Sequence, residues 1–205
     1  MRKKIDFISI GGWAVYFLTK AVKSKDIDII VDLKNSSKIK EGFELKKTDF
    51  LKKYEIEIEG ISIDIYVPFY SKFAIPVEDV MKNTIVIENF KIPRAEVLLL
   101  LKQQAELERK DSIKGQKDRV DIICLLKSDL IDWNFYKKMI ERYGLKDYPK
   151  RLESIIRQRR IRVFRDKRFE GSKEDKRKDF EANEVISSLK LLACYRLIQG
   201  MSEPS

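Results

Sequence analysis

Apolar and charged residues alternate in short stretches through the first half of the chain and recur at helical spacing in the second. Residues 7–10 read as a short strand and residues 13–18 as the start of a helix. A second strand follows over residues 25–30, then a polar connection at Asn35-Ser36-Ser37. Residues 43–45, 54–58 and 61–67 suggest three more strands, the last two joined by a hairpin turn at Glu59-Gly60, and residues 85–87 one more. Pro93 suits the first turn of a helix, and the leucine-rich run to Lys110 has the length of a buried one. The pattern stays helical to Gly144. Asp132 is the expected N-cap of residues 133–143 and Gly144 their stop. Residues 171–178 form a charged connection, and residues 185–197 an amphipathic final helix. Strands followed by helices predict an α+β fold: a mixed sheet with flanking helices, then a mainly helical C-terminal part. The boundary is expected near residue 90, giving segments 1–90 and 91–205.

The acidic positions change this from a fold pattern into a chemical one. Side chains alternate along a strand, so Asp26 and Asp28 leave the sheet on one side while Ile27 and Ile29 point to the other. Two carboxylates this close are unfavourable unless cations compensate them. Asp64, inside the strand of residues 61–67, would bring a third if that strand is a neighbour. Three converging carboxylates are the oxygen-rich arrangement magnesium or manganese prefers. Upstream, Gly11 and Gly12 lie between a strand and a helix, where backbone amides can meet a phosphate closely. A lone Gly-Gly is usually a plain turn and a lone Asp-x-Asp usually a solvated edge. Here the two occur together, with a third strand aspartate downstream.

Composition narrows the chemistry further. The chain has 205 residues, 43% of them apolar, enough for one sizeable core or two small domains. Histidine is absent, which excludes an imidazole base or a histidine metal ligand and leaves the carboxylates to carry acid–base and metal chemistry. Cys124 and Cys194 sit far apart among leucines and isoleucines, so buried thiols are expected rather than a disulfide. No apolar run approaches the ~18–20 residues that span a bilayer, and the basic start is interrupted by Asp6; a cytoplasmic protein without membrane contact is expected. The net charge of +10 and a pI near 9.4 point to a polyanionic partner, either nucleic acid or nucleoside triphosphate.

Gly11-Gly12-Trp13-Ala14, the segment Ser24-Lys25-Asp26-Ile27-Asp28, and Asp64 resemble the core of the nucleotidyltransferase superfamily, related in fold to the polymerase-β palm. Lys102 and Ala105 in a Lys-x-x-Ala helix, then Arg109 and Lys117-Asp118-x-x-Asp121, resemble its AbiEii-like branch, which includes toxins of toxin–antitoxin systems. The resemblance covers roughly residues 5–127. It implies a nucleotidyltransferase-like catalytic core over 1–90, with 91–127 completing the cleft. It also implies a two-metal magnesium or manganese site on Asp26, Asp28 and Asp64, with Gly11, Gly12, Ser24 and Lys25 binding the nucleotide. Many superfamily members have Gly-Ser where this chain has Gly-Gly, so backbone amides alone would hold the phosphate there.

Several features remain open at the level of sequence. Asp118 and Asp121 share a helical face and could complement a helix dipole or, following the resemblance, act in the cleft. Lys102 could snorkel from its apolar helix or neutralise the triphosphate. Arg157, Arg159, Arg160, Arg162 and Arg165 interleave with Ile161, Val163 and Phe164. They suit a phosphate backbone, or a solvated face balanced by Glu153, Glu170, Glu174 and Asp175. The expected activity is transfer of a nucleoside monophosphate from a triphosphate to a hydroxyl of RNA, with a tRNA end the first guess, or of a protein. The alternative is a weakly catalytic protein of the same fold that binds RNA or an antitoxin-like partner.

Overall fold

The computed structural model describes residues 5–21, 23–49 and 52–165. Strand β1 (Ile8–Ile10) leads into helix α1 (Gly11–Thr19), followed by β2 (Ile27–Ile30), α2 (Leu33–Gly42), β3 (Lys46–Thr48), β4 (Lys53–Ile58) and β5 (Ile61–Tyr66). Then come α3 (Val77–Lys82), β6 (Thr84–Ile87) and β7 (Phe90–Pro93). Four successive helices follow: α4 (Ala95–Arg109), α5 (Ile113–Lys127), α6 (Trp133–Tyr143) and α7 (Tyr148–Arg165). This is the α+β arrangement expected from the sequence. The final helix expected at residues 185–197, the connection at 171–178 and Cys194 lie outside the described residues.

The main sheet has the order β1-β2-β5-β4-β3 and is mixed: β2 and β5 are parallel and every other pair antiparallel. Paired residues face the same way, so register decides what each face contains. Ile29 pairs with Ile65 and Ile63 with Ile56, and with Ile27 these side chains are at most 2% exposed. The opposite face carries Asp28 opposite Asp64, and Asp64 opposite Glu55. The β4–β5 hairpin turns at Glu59 and Gly60, both at positive φ (52° and 74°), as a two-residue turn requires. A second hairpin, β6–β7, lies beside β1, where Phe90 stacks on Phe17 of α1 with ring centroids 4.6 Å apart.

Three local expectations need correction. Asn35-Ser36-Ser37 is not a loop but part of α2; the side chain of Asp32 caps that helix, accepting from the Asn35 amide at 2.6 Å. Strand β3 begins at Lys46 rather than Phe43, because residue 43 closes α2, its amide bonded to the Ile39 carbonyl at 2.9 Å. Pro93 ends β7 instead of opening a helix; Arg94 bonds back to the Asn83 carbonyl at 2.9 Å, and α4 starts at Ala95. By contrast, Asp132 caps α6 through the amides of Asn134 and Phe135, and Gly144 ends it at φ 67°.

Helix α4 is the hub of the helical part and packs on α1, α5, α6 and α7. Residues Val97, Leu98, Leu99 and Leu100 are fully buried, and the polar residues Glu96, Gln103 and Glu106 of the same helix are buried with them. Each of those polar groups has a partner. Glu96 accepts the Asp132 amide at 2.7 Å, tying α4 to the start of α6. Gln103 donates to the Tyr148 carbonyl at 2.9 Å and accepts from the Tyr136 hydroxyl at 2.8 Å. Glu106, completely buried, pairs with Arg119 of α5 at 2.6 Å and with Arg151 of α7. Cys124 is half-buried against the same core. Among the described residues no helix is long and apolar enough to cross a membrane.

Burial pushes the Glu106 carboxyl up, but hydrogen bonds from Arg151 and Arg119 outweigh it and hold it below the usual range. A folded-state pKa below the unfolded one gives stability that is present at neutral pH and lost as pH falls. Glu106→Gln leaves two arginines without their anion and is expected to cost about 3 kcal/mol at pH 7. Urea denaturation should show the variant and wild-type stabilities converging as pH drops below about 4.3.

Candidate active site

Asp28 and Asp64 stand side by side because β2 and β5 pair in parallel with those two residues in register. Ile10 pairs with Asp28 from the other side, so the next residue, Gly11, begins α1 directly over the Asp28 carboxylate. Gly11 has φ 63°, and a Cβ there would overlap Asp28 Oδ2. Glycine is therefore required twice, by backbone conformation and by space. A Cβ on Gly12 would lie 2.7 Å from the Ser24 Cβ, so the second glycine is needed for close packing against the loop before β2. Ile10, at the N-cap, offers no side-chain acceptor to the first amides of α1. Those amides remain available to an anion, favoured by the helix dipole.

These groups open into one cavity of about 230 Å³. The acids Asp26, Asp28 and Asp64 and the Gly11–Gly12 turn line one side. Lys102, Arg109, Lys114, Lys117 and Asp118 of α4 and α5 line another, with Tyr66, Phe73, Gln104 and Glu108 completing it. Asp26 precedes β2 rather than lying within it and is exposed, but it still opens into the cavity. Ser24 is buried at the wall and accepts from the Lys117 ammonium at 3.1 Å, linking that loop to α5. Lys25 is exposed and does not line the cavity.

The charges are arranged in layers. Lys102, 7% exposed, contacts Asp121 at 2.6 Å and Asp118 at 3.3 Å; Asp118 also binds Arg109 at 2.7 Å. Asp118 and Lys102 reach the cavity wall, whereas Asp121 sits behind it, and neither of its oxygens has a hydrogen bond of good geometry. Burial alone would depress the Lys102 ammonium, but Asp121 and Asp118 outweigh it and raise its pKa. Asp28 behaves oppositely. Burial pushes its carboxyl up, and Lys102 and Lys53 offset this only in part. Burial likewise raises Asp64 despite its hydrogen bond from Lys53. Tyr66 is raised by burial and by the two adjacent carboxylates, so it stays a neutral phenol.

Of the arginine-rich run, Arg157 is exposed on α7 and pairs with Glu153 at 2.5 Å, in keeping with a solvated face. Arg159, Arg160, Arg162 and Arg165 continue the same helix, but their side chains lie outside the described residues. Sequence reasoning missed Lys53, which pairs with Asp64 in the cavity. The signal was available: the Glu59-Gly60 turn sets Glu55 opposite Asp64, and Lys53, two residues earlier, shares that face. Lys114 was also passed over, and Lys117 enters the sequence reading only as part of the Lys-Asp-x-x-Asp motif, because a helix of mixed charge gives no sign of which lysines face inward.

The sequence matches no protein-family model and no curated protein. Similar solved structures include an antigenic nucleotidyltransferase-like protein from Paracoccidioides brasiliensis, with TM-score 0.39 and 15% identity over 75% of this chain and 84% of that one. Another is ANT(2″)-Ia in complex with adenylyl-2″-tobramycin, with TM-score 0.49 and 12% identity over 69% and 88%. The solution structure of the antibiotic-resistance factor ANT(2″)-Ia gives 0.44 and 13% over 78% and 86%. None of these scores reaches 0.5, and the roles proposed for the cavity residues rest on the cavity and the sequence.

Two outcomes test this geometry. Gly11→Ala should lose more than about 1 kcal/mol in urea denaturation, whereas Gly42→Ala, where a Cβ meets nothing within 4 Å, should not. Asp28 has a folded-state pKa above its unfolded value, so its charge opposes folding at neutral pH. In the presence of a chelator, Asp28→Asn is expected to melt at a higher temperature than wild type at pH 7. That advantage should fade as pH falls below the raised folded-state pKa and be gone below the ordinary aspartate value near 3.9.

Proposed function

We propose that the protein is a divalent-metal-dependent nucleotidyltransferase that moves a nucleoside monophosphate from a triphosphate to a hydroxyl of RNA. The observation that carries this reading is the in-register pair Asp28 and Asp64, opening with Asp26 into the same cavity as the uncapped start of α1. Anion-binding amides and a desolvated acid pair side by side suit a nucleotide bridged to its acids by cations.

The donor set fits a hard divalent ion in kind. The three aspartates offer only oxygen, and Asp28 keeps a raised pKa that its lysine neighbours do not cancel. In position the fit is incomplete: among the described residues no group of three or more acidic or sulfur side chains stands at metal-ligating spacing, and Lys53 occupies Asp64. Asp26, Asp28 and Asp64 would hold magnesium or manganese, which when bound supplies positive charge to the phosphates and acidifies the acceptor hydroxyl.

The chain's own groups perform the remaining work. The amides of Gly11 and Gly12 bind phosphate oxygens, and Lys114, Lys117 and Arg109 balance the triphosphate charge from the opposite wall. Ser24 keeps Lys117 aimed inward. Lys102 and Asp118 form the electrostatic backing of the acid pair, and Asp121 positions Lys102 from behind. Asp64 orients the acceptor hydroxyl and receives its proton as the new O–P bond forms. The bond from the α-phosphorus to the bridging oxygen breaks, and pyrophosphate leaves.

The net charge of +10 favours RNA over protein as acceptor. The resemblance of residues 5–127 to the AbiEii-like branch extends this reading to growth control alongside an antitoxin-like partner.

The test incubates the protein with each α-labelled triphosphate, magnesium or manganese, and separate pools of total RNA and soluble protein. Label should enter RNA, fall by more than about 100-fold in the Asp26→Ala/Asp28→Ala double variant, and vanish with chelator. Label in the protein pool alone would replace the acceptor. Full labelling by the double variant would overturn the mechanism.

A further inference from the structure

Lys53 is the first residue of β4, and its position is fixed by the backbone around it. The carbonyl of Lys52 accepts from Ser71 Oγ at 2.7 Å, and that hydroxyl accepts from the Val67 amide at 3.0 Å. The start of β4 is thereby fastened to the loop leaving β5. From there the Lys53 side chain runs along the acidic face, and its ammonium pairs with Asp64 Oδ2. Both side chains are largely buried, 17% and 14% exposed, and both line the cavity that contains Asp28. An ammonium on a four-carbon stem is compact and free to swing, unlike a guanidinium fork.

Asp64 needs a cation in this setting, since a largely buried carboxylate without one is strongly unfavourable. A divalent ion on Asp64 would meet the same need, but Lys53 already holds Oδ2, and an ion on either oxygen of the same carboxylate would face the ammonium's like charge at close range. We propose that Lys53 is a tethered occupant of the cation position on Asp64, which a divalent ion must displace in order to bind. This inference rests on the metal-dependent reading above. It adds that the chain carries its own competitor for the metal, so that affinity for the ion is set by residue 53 as well as by the acids.

The measurement is binding of Mn²⁺ alone to the full chain, followed by the electron paramagnetic resonance signal of free Mn²⁺. Lys53→Met is expected to bind at least about tenfold more tightly than wild type, and Lys53→Arg, which keeps the charge, no more tightly than wild type. Equal or weaker binding by Lys53→Met overturns the proposal. A second measurement needs no variant. Brief acetylation of the wild-type protein, read residue by residue by mass spectrometry, should label Lys53 more in the presence of Mn²⁺ than in its absence. Unchanged labelling under saturating Mn²⁺ overturns the proposal even if Lys53→Met does not fold. Asp28→Asn separates the two levels. Binding by wild type that disappears in Asp28→Asn upholds the metal site whatever Lys53 does, whereas no binding by wild type or by Lys53→Met removes both the site and the competitor.

Discussion

Parallel pairing of β2 with β5 sets two carboxylates next to each other at a desolvated place on the sheet, and their charge has to be met from several directions. Lys53 meets it from the adjacent strand, Lys102 from beneath, and the dipole of α1 from the end of β1. Lys102 is itself too buried to stand alone, so Asp118 and Asp121 lie behind it, and Arg109 in turn answers Asp118. Charge thus alternates outward from the acid pair, and each layer exists because the one before it was desolvated. The helices that supply these layers are held by the same helix, α4.

That helix explains why the helical part and the sheet act together. Its apolar residues face inward on nearly every side, and its buried polar residues each join a different neighbour: α6 through Glu96 and Gln103, α5 and α7 through Glu106, α5 again through Lys102. A helix buried on most of its surface, with its buried polar groups satisfied, fixes the orientation of what packs on it more specifically than an apolar one would. Gly115 lets α5 approach closely, since a Cβ there would press on the carbonyl of Arg109 at the end of α4.

Much of this was legible in the sequence, and the misses have physical reasons. The period-two isoleucines gave β2, β4 and β5, and the Glu59-Gly60 turn gave their hairpin; Asp132 and Gly144 bounded α6 as capping chemistry dictates. The parallel register of Asp28 and Asp64 was not legible, because it depends on a pairing between strands far apart in the chain. α2 was misread because Asn35, Ser36 and Ser37 prefer turns, although Asp32 carried the N-cap signal for a helix. Pro93 was misread because proline is tolerated both at a helix start and at the end of a strand, and here the pairing of Thr84 with Pro93 decided between them. Lys102 and Asp118, which the resemblance assigns to the cleft, line the cavity together, but only packing shows that Asp121 stands behind the wall and Lys25 away from it.

The junction between β1 and α1 is a single residue: Ile10 is still paired in the sheet, and Gly11, at φ 63°, makes the whole turn into the helix. There is no slack there for a loop to fold over a ligand or retreat from it. The separation between the first amides of α1 and Asp28 is therefore set at folding, whatever the site binds. Under the proposed function that side of the cavity is preorganised for the nucleotide, and adjustment to the acceptor falls to the facing wall built by α4 and α5.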